Sequence, residues 1–194
     1  MDYTKEDFIK IYKESIKREG SDALLAWLEK SDFFQAPAST NFHSNFQGGL
    51  CSHSVKVYHR LKRLIKEEYG ENWQEKISPE SLAIMALLHD ICKVNFYKQD
   101  YRNVKIDGQW FQKPYYTVDD ALPFGHGEKS VYIANGFMRL TREEAMAINW
   151  HMGEFDDRAK GGSYSLKNAF YQYPISLLMH IADVQASYLD ETIQ

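Results

Sequence analysis

The residues Leu87-Leu88-His89-Asp90-Ile91-Cys92-Lys93 end an apolar run in a histidine and an aspartate, with a lysine about one turn later. Charged groups rarely close an apolar stretch without a partner, because a buried unpaired carboxylate is very costly. A cation suits this pair, since neutral imidazole and carboxylate are both ordinary ligands for divalent metals. On a helix His89 and Lys93 are four apart and Asp90 and Lys93 three apart, so the three share one flank. An ammonium beside a metal is an arrangement suited to a phosphate. Taken alone, the pair reads equally well as the capped end of a core helix.

Other residues of the same chemistry recur along the chain. His53 falls in the first turn of a helix expected from about Leu50 to Tyr69, just after Gly48-Gly49, whose freedom lets the backbone approach closely. Gly125-His126-Gly127 opens a further helix, Trp150-His151 ends another, and Asp183 interrupts the last apolar helix. One such residue is usually structural, but six in a helical chain are better explained by a shared partner. Neither cysteine has a zinc-finger partner, there is no GxxxxGK[ST] loop, and no G-x-S-x-G elbow is present. A cation here would lower the pKa of a bound water and attract phosphoryl oxygens, with Lys93 adding positive charge where negative charge gathers. Arg158 and Lys160, on the polar loop after His151, are candidates to reach a phosphate, against the blander reading of solvated loop charges. His59 reads as a surface or packing residue, and His180 as packing or as orienting a ligand. His43 reads as touching substrate or tying down its own loop.

The positioning elements are mostly helices. Thr4 with Asp7 and Thr141 with Glu144 are capping boxes, and Ser78-Pro79-Glu80 is a strong helix start. Gly20 is expected at the end of the first helix, with Ser21 capping a second. The helix after Ser78 carries Leu82, Met85, Ala86 and Leu88 with few polar interruptions, so it should be the central, most buried one. Residues 31–49 break the helical pattern, yet their aromatics argue for an ordered lead-in to His53. Residues 94–125 lose the helical period, and Asp107-Gly108 between two β-rich runs signals a hairpin near 101–117. Its aromatics make it a candidate wall of the substrate pocket or a structural flap. Residues 152–165 read as a polar loop, and the last long helix begins near Pro174.

At 194 residues, 44% apolar and 26% charged, the chain suits one soluble domain. The net charge of −4 argues against a broad nucleic-acid or membrane surface while leaving room for a local basic site. No apolar stretch reaches the ~18 residues of a membrane span, and the start lacks the apolar core of a signal peptide. Cys51 and Cys92 do not form a disulfide framework, and reduced thiols in the cytoplasm are the default expectation.

In order and in context, Gly48-Gly49-Leu50-Cys51-Ser52-His53-Ser54, the Leu87–Lys93 run, Gly125-His126, Trp150-His151 and His180-Ile181-Ala182-Asp183 resemble the HD superfamily of metal-dependent phosphohydrolases. Roughly residues 33–187 take part, and the nearest likeness is to the HD domain of bacterial 3′–5′ exoribonucleases. Cys92 stands where that family usually has glycine, and the stretch before the motif is too short for their oligonucleotide-binding barrel, so processive RNA degradation is not expected. The resemblance implies an all-α HD-domain helical bundle with one inserted hairpin, as a single domain over 1–194, with residues 1–30 as helical scaffold and 94–125 as the insertion. It implies His53, His89, Asp90 and Asp183 as ligands of a first metal, and His126 and His151 as ligands of a second, with Asp90 bridging. One or two divalent ions are expected, among Mn, Fe, Co, Ni, Zn and Mg. Asp90 and Lys93 would be catalytic, and Lys93, Arg158 and Lys160 would contact a small phosphorylated substrate. The implied activity is hydrolysis of a phosphomonoester or phosphodiester, of a nucleotide by preference, without a membrane or a long nucleic acid as partner and with the oligomeric state open. The alternative is a non-catalytic domain that holds metal and senses a nucleotide.

Overall fold

A computed structural model describes residues 2–40 and 44–191; His43 lies outside the described residues. The chain runs α1 (Lys5–Ser15), α2 (Ser21–Lys30), α3 (Gly49–Tyr69), α4 (Pro79–Leu88), β1 (Tyr97–Ile106), β2 (Gln109–Val118), α5 (His126–Asn135), α6 (Arg142–Asn149), α7 (Asp157–Lys160), α8 (Ser165–Gln172) and α9 (Ile175–Gln185). It is a helical bundle carrying one two-stranded antiparallel hairpin. Both capping boxes form, at Thr4–Asp7 and Thr141–Glu144, and Ser78 caps α4 ahead of Pro79. No helix among the described residues is long and apolar enough to cross a membrane.

The centre of the bundle is α4, whose residues from Leu82 through Leu88 are all buried. It can be apolar all round because it divides two halves of the core. Ala83, Ile84, Leu87 and Leu88 pack with Phe8, Leu24, Phe33 and Leu50. Leu82, Met85 and Ala86 pack with Val57, Leu61, Ile175 and Met179. A helix buried on every side must end within the core, and that is why His89 and Asp90 emerge inside the protein.

Three local expectations change. Helix α1 stops at Ser15, and Gly20 is instead the N-cap of α2, with φ +87°. Its missing side chain admits the Phe137 carbonyl, because a Cβ there would lie 1.8 Å from that oxygen. The stretch read as a polar loop after His151 holds a short turn at Gly153–Phe155, then α7 and the start of α8. The hairpin is longer than expected, running from the Tyr97–Val118 pair to Ile106–Gln109. Its turn residues Asp107 and Gly108 both have positive φ, at 49° and 85°, as the tight hairpin turn signalled by the sequence requires.

The 31–49 lead-in is ordered through its described residues. Phe33 is fully buried and meets Phe8 and Phe34 edge-on. Gly49 is where the loop folds over the start of α3, and a Cβ there would lie 2.0 Å from the Ser44 carbonyl oxygen.

Candidate metal centre

Five helices bring six side chains to one place. Helix α3 supplies His53 from its first turn, the end of α4 supplies His89 and Asp90, α5 opens with His126, the residues after α6 supply His151, and α9 supplies Asp183. The elements are in direct register with one another: α3 packs on α4 and α9, and α6 on α4, α5 and α9. His53, His89 and His151 are fully buried, Asp90 nearly so, and His126 is the most open of the set.

The ring orientations follow from the helix ends. The last carbonyls of a helix lack intrahelical donors. His89 Nδ1 lies 2.8 Å from the Ala86 carbonyl oxygen, and His151 Nδ1 lies 2.7 Å from that of Ile148. A carbonyl only accepts, so both rings carry their proton on Nδ1 and turn Nε2 inward as a lone pair. His53 is held differently, with Nδ1 2.8 Å from Glu191 Oε1. The Nε2 atoms of His53 and His89 then stand 3.2 Å apart, and His53 Nε2 is 3.1 Å from Asp183 Oδ1.

Asp90 faces two groups with its two oxygens. Oδ1 lies 2.8 Å from His126 Nε2 and 3.5 Å from His151 Nε2. Oδ2 lies 2.7 Å from Lys93 Nζ, 3.5 Å from His89 Nε2 and 3.7 Å from His53 Nε2. Burial pushes the Asp90 carboxyl up, but Lys93, His89, the bond with His126 and the nearby His151 ring outweigh it and hold the group well below the usual carboxylate range. Asp183 is lowered in the same way, with His53 the main offset to burial. Burial would lower His53, yet Glu191 and Asp183 raise it to about 10. Burial keeps His89 and His126 below the ordinary histidine range despite Asp90. Lys93 is raised, because Asp90 beside it outweighs burial.

This donor set fits a divalent cation. His151 Nε2 is buried without a hydrogen-bond partner among the described residues, although its ring is aimed at the cluster. Ligand atoms of His53, His89 and Asp90, of His89, His151 and Asp183, and of Asp90, Cys92 (through Sγ) and His126 each gather within 4.8 Å. A metal ligand must be an unprotonated nitrogen, so a cation entering here would displace the proton that His53 holds between its two carboxylates.

A cavity of about 240 Å³ opens onto this cluster, lined by Asp90, Lys93, His126 and Asp183 together with Ser39, Phe96, Tyr97 and Val118. A larger groove of about 570 Å³ lies along α3 and the C-terminal segment. Its lining cations are paired, Arg60 with Asp190, Lys56 with Asp2 and Arg63 with Glu67, and it contains none of the six clustered residues.

Arg158 and Lys160 do not join the cluster. The Arg158 guanidinium is held by Asp156 at 2.8 Å and Glu128 at 2.6 Å, and lies 4.0 Å from the Trp150 ring. Lys160 is exposed and pairs with Asp157 at 3.2 Å. Neither residue lines the cavity beside Asp90. His59 stacks on Tyr3 at 5.2 Å between ring centres, a packing role. His180 bonds the His151 carbonyl at 2.7 Å and fills the space beside Gly153, so it fixes the turn that carries His151.

Two neighbours were not assigned to the site from sequence. Glu191 is buried and reaches His53 from the far end of the chain, after the π-helical turn Ala186–Asp190. Cys92 places its sulfur 3.5 Å from the His126 ring, and burial first of all pushes its thiol up to about 12. Cys92 was visible in sequence as part of the His-Asp run, whereas nothing local marks Glu191.

With this geometry in place, comparison with known proteins is informative. The family model for the HD domain matches residues 50–185, and the chain belongs to the HD superfamily of metal-dependent phosphohydrolases. Neither the curated proteins nor the solved structures contain a match to the chain.

Proposed function

We propose that this protein is a metal-dependent phosphohydrolase that cleaves a phosphomonoester or phosphodiester of a nucleotide. The observation that carries the reading is the split of Asp90, one oxygen toward His126 and His151 and the other toward His53 and His89. One carboxylate shared between two nitrogen sets suits two cations. His53, His89, Asp90 and Asp183 would hold the first, and His126, His151 and the same Asp90 the second. Divalent ions at such a site polarise phosphoryl oxygens and activate water near neutral pH.

The protein's own groups supply the rest. The backbone carbonyls of Ala86 and Ile148 fix the tautomers of His89 and His151, which keeps their inner nitrogens free to coordinate. Lys93 keeps its positive charge at the mouth of the cavity, where a phosphoryl group gains negative charge. Tyr97, Phe96 and Val118 also line the cavity and would give a bound ester apolar contact. Cys51 and Cys92 are both free and buried, in keeping with a cytoplasmic setting.

The test is metal analysis of protein purified without chelator, followed by a panel of nucleotide mono- and diesters assayed with and without added Mn, Fe, Co, Ni, Zn or Mg. Bound metal with metal-dependent release of phosphate or of a nucleotide is the expected result. Retained metal and nucleotide binding without turnover would replace this reading with a sensor.

A further inference from the structure

Cys92 is a donor beside the candidate centre that the two-cation reading leaves unused. It lies in the one-turn 3₁₀ helix Ile91–Lys93 that follows α4, and it is buried. Two contacts fix it. Its backbone N–H donates to the Ser130 hydroxyl at 3.1 Å. Its sulfur lies 3.5 Å from both ring nitrogens of His126. Ser130 and His126 are four apart on α5, so they share a flank. The helix that delivers His126 therefore also anchors the backbone that delivers the thiol. Cys51 has no such place. Its sulfur is 3.6 Å from the Thr4 carbonyl oxygen, and the residue packs in the apolar core.

Three observations lead from this thiol to a cation. Ligand atoms of Asp90, Cys92 and His126 lie within 4.8 Å of one another. The sulfur-to-nitrogen separation also fits. On one tetrahedral zinc, a sulfur at about 2.3 Å and an imidazole nitrogen at about 2.0–2.1 Å stand about 3.5 Å apart. That is the distance from Cys92 to the His126 nitrogens. Finally, His151 turns a buried Nε2, without a hydrogen-bond partner among the described residues, toward Asp90 Oδ1 at 3.5 Å. His126 Nε2 meets the same oxygen at 2.8 Å. A cation bound here would replace that hydrogen bond and take up the His151 nitrogen as a further donor.

We propose that Cys92 is a thiolate ligand of the cation held by Asp90, His126 and His151, and that it makes this position selective for zinc or iron over magnesium or manganese. Thiolate and imidazole suit zinc and iron, whereas magnesium and manganese suit oxygen ligands. Coordination takes the proton from the thiol outright, so the sulfur enters as an anion beside Asp90. The inference rests on the reading that the cluster holds metal, and it does not depend on hydrolysis. The rival is a thiol that only packs against the His126 ring, as a small apolar group does.

The test strips the full chain of metal, removes the chelator, titrates the protein with Co(II) under nitrogen and reads its absorption. Wild type and Cys51→Ala should each show a near-ultraviolet thiolate-to-cobalt charge-transfer band by about two equivalents of metal, one for each site. Cys92→Ala and Cys92→Ser should lack the band. Both should keep the visible cobalt bands of imidazole and carboxylate ligation and the helical circular dichroism of wild type. In competition experiments Cys92→Ala should lower zinc affinity by more than ~10-fold, the least cost of disturbing a metal's surroundings. Manganese affinity should stay nearly the same, so the preference for zinc narrows. The wild-type spectrum decides the matter even where a variant fails to fold. Visible cobalt bands without charge transfer overturn the proposal and leave the metal reading. A band that Cys51→Ala abolishes, or that a folded Cys92→Ala retains, does the same. Failure to take up cobalt at all overturns both. A band that depends on Cys92, in a protein that turns over no nucleotide ester, overturns the hydrolase reading and leaves the ligand.

Discussion

Arg18 and Asp90 each anchor a buried charged cluster, and the two are built in opposite ways. Around Arg18 every charge is answered. Its guanidinium meets Glu144 at 2.6 and 2.8 Å, as a fork on a carboxylate, and Glu80 at 3.3 Å. Glu80 also accepts from the backbone nitrogens of Lys17 and Arg18, and Glu144 from that of Thr141. Around Asp90, three carboxylates, counting Asp183 and Glu191, face four imidazoles and two lysines, Lys93 beside Asp90 and Lys56 4.0 Å from Glu191. One of the imidazoles, His151, has an inner nitrogen without a hydrogen-bond partner among the described residues. The first cluster is complete as folded and pins the α1–α2 connection to α4 and α6. The second gathers imidazole and carboxylate donors close enough together to hold a cation. Buried charge alone therefore does not mark a functional site; buried charge with converging, unsatisfied lone pairs does.

The largest expected effects lie in the open cluster. Asp90→Asn keeps the shape but removes the shared charge, so metal affinity should drop by more than ~100-fold, beyond the range typical of groups that only orient ligands. Turnover should vanish with it, while the unfolding midpoint in chelator barely moves. Lys93→Ala should retain its metal and slow turnover by ~10²–10³-fold, the usual loss for one charge at the transition state. Full activity in Lys93→Ala, or full metal in Asp90→Asn, would erase the proposed division of roles.

Arg18→Ala inverts the pattern. It strands Glu144, whose side chain is wholly buried, and should lower unfolding stability by ~3 kcal/mol. Metal content per folded molecule should stay the same. Denaturant titration together with metal analysis reads both, and a loss of metal in the folded Arg18 variant would show that the two clusters are not independent.

Much of this contrast was legible in the sequence. The helix starts at Thr4, Ser78 and Thr141 follow from side chains that cap within three residues, and Asp107-Gly108 from a turn that needs positive φ twice. The convergence of His53, His89, Asp90, His126, His151 and Asp183 was legible because each breaks an apolar pattern at a helix end or within a helix. Other features depend on distant partners. Arg158 resembles a free loop cation until Glu128, thirty residues earlier, is seen to hold it. Gly20 resembles a helix end until the Phe137 carbonyl is found against it. Glu191 meets His53 across 138 residues of sequence, and no local period announces such a contact.

Glu191 offers a finer probe of the open cluster. Its carboxylate orients His53 without facing the centre itself, so Glu191→Ala should weaken metal affinity by ~10–100-fold, and Glu191→Gln, which keeps an acceptor for Nδ1, by less. Isothermal titration with the metal alone reads this. Equal losses in the two variants would indicate that Glu191 merely fills space.

The smallest expected effect concerns acid, and it belongs to the closed cluster. Burial pushes the Glu144 carboxyl up, but the bonds from Arg18 and from the Thr141 backbone outweigh it and hold the group below its ordinary 4.5. A carboxyl lowered by folding contributes stability that is fully present above the unfolded value and is lost as pH falls through the folded one. Wild-type unfolding free energy alone cannot isolate this contribution, because Asp90, Asp156, Asp183 and Asp190 are lowered too. The difference between wild type and Glu144→Gln can isolate it, since the amide does not titrate. Urea unfolding of both proteins in chelator should show wild type more stable near neutral pH, with the gap constant down to about pH 4.5 and narrowing below it. A gap that widens in acid would mean that the Glu144 carboxylate is not stabilised by its partners, and that the Arg18 cluster is held together by packing instead.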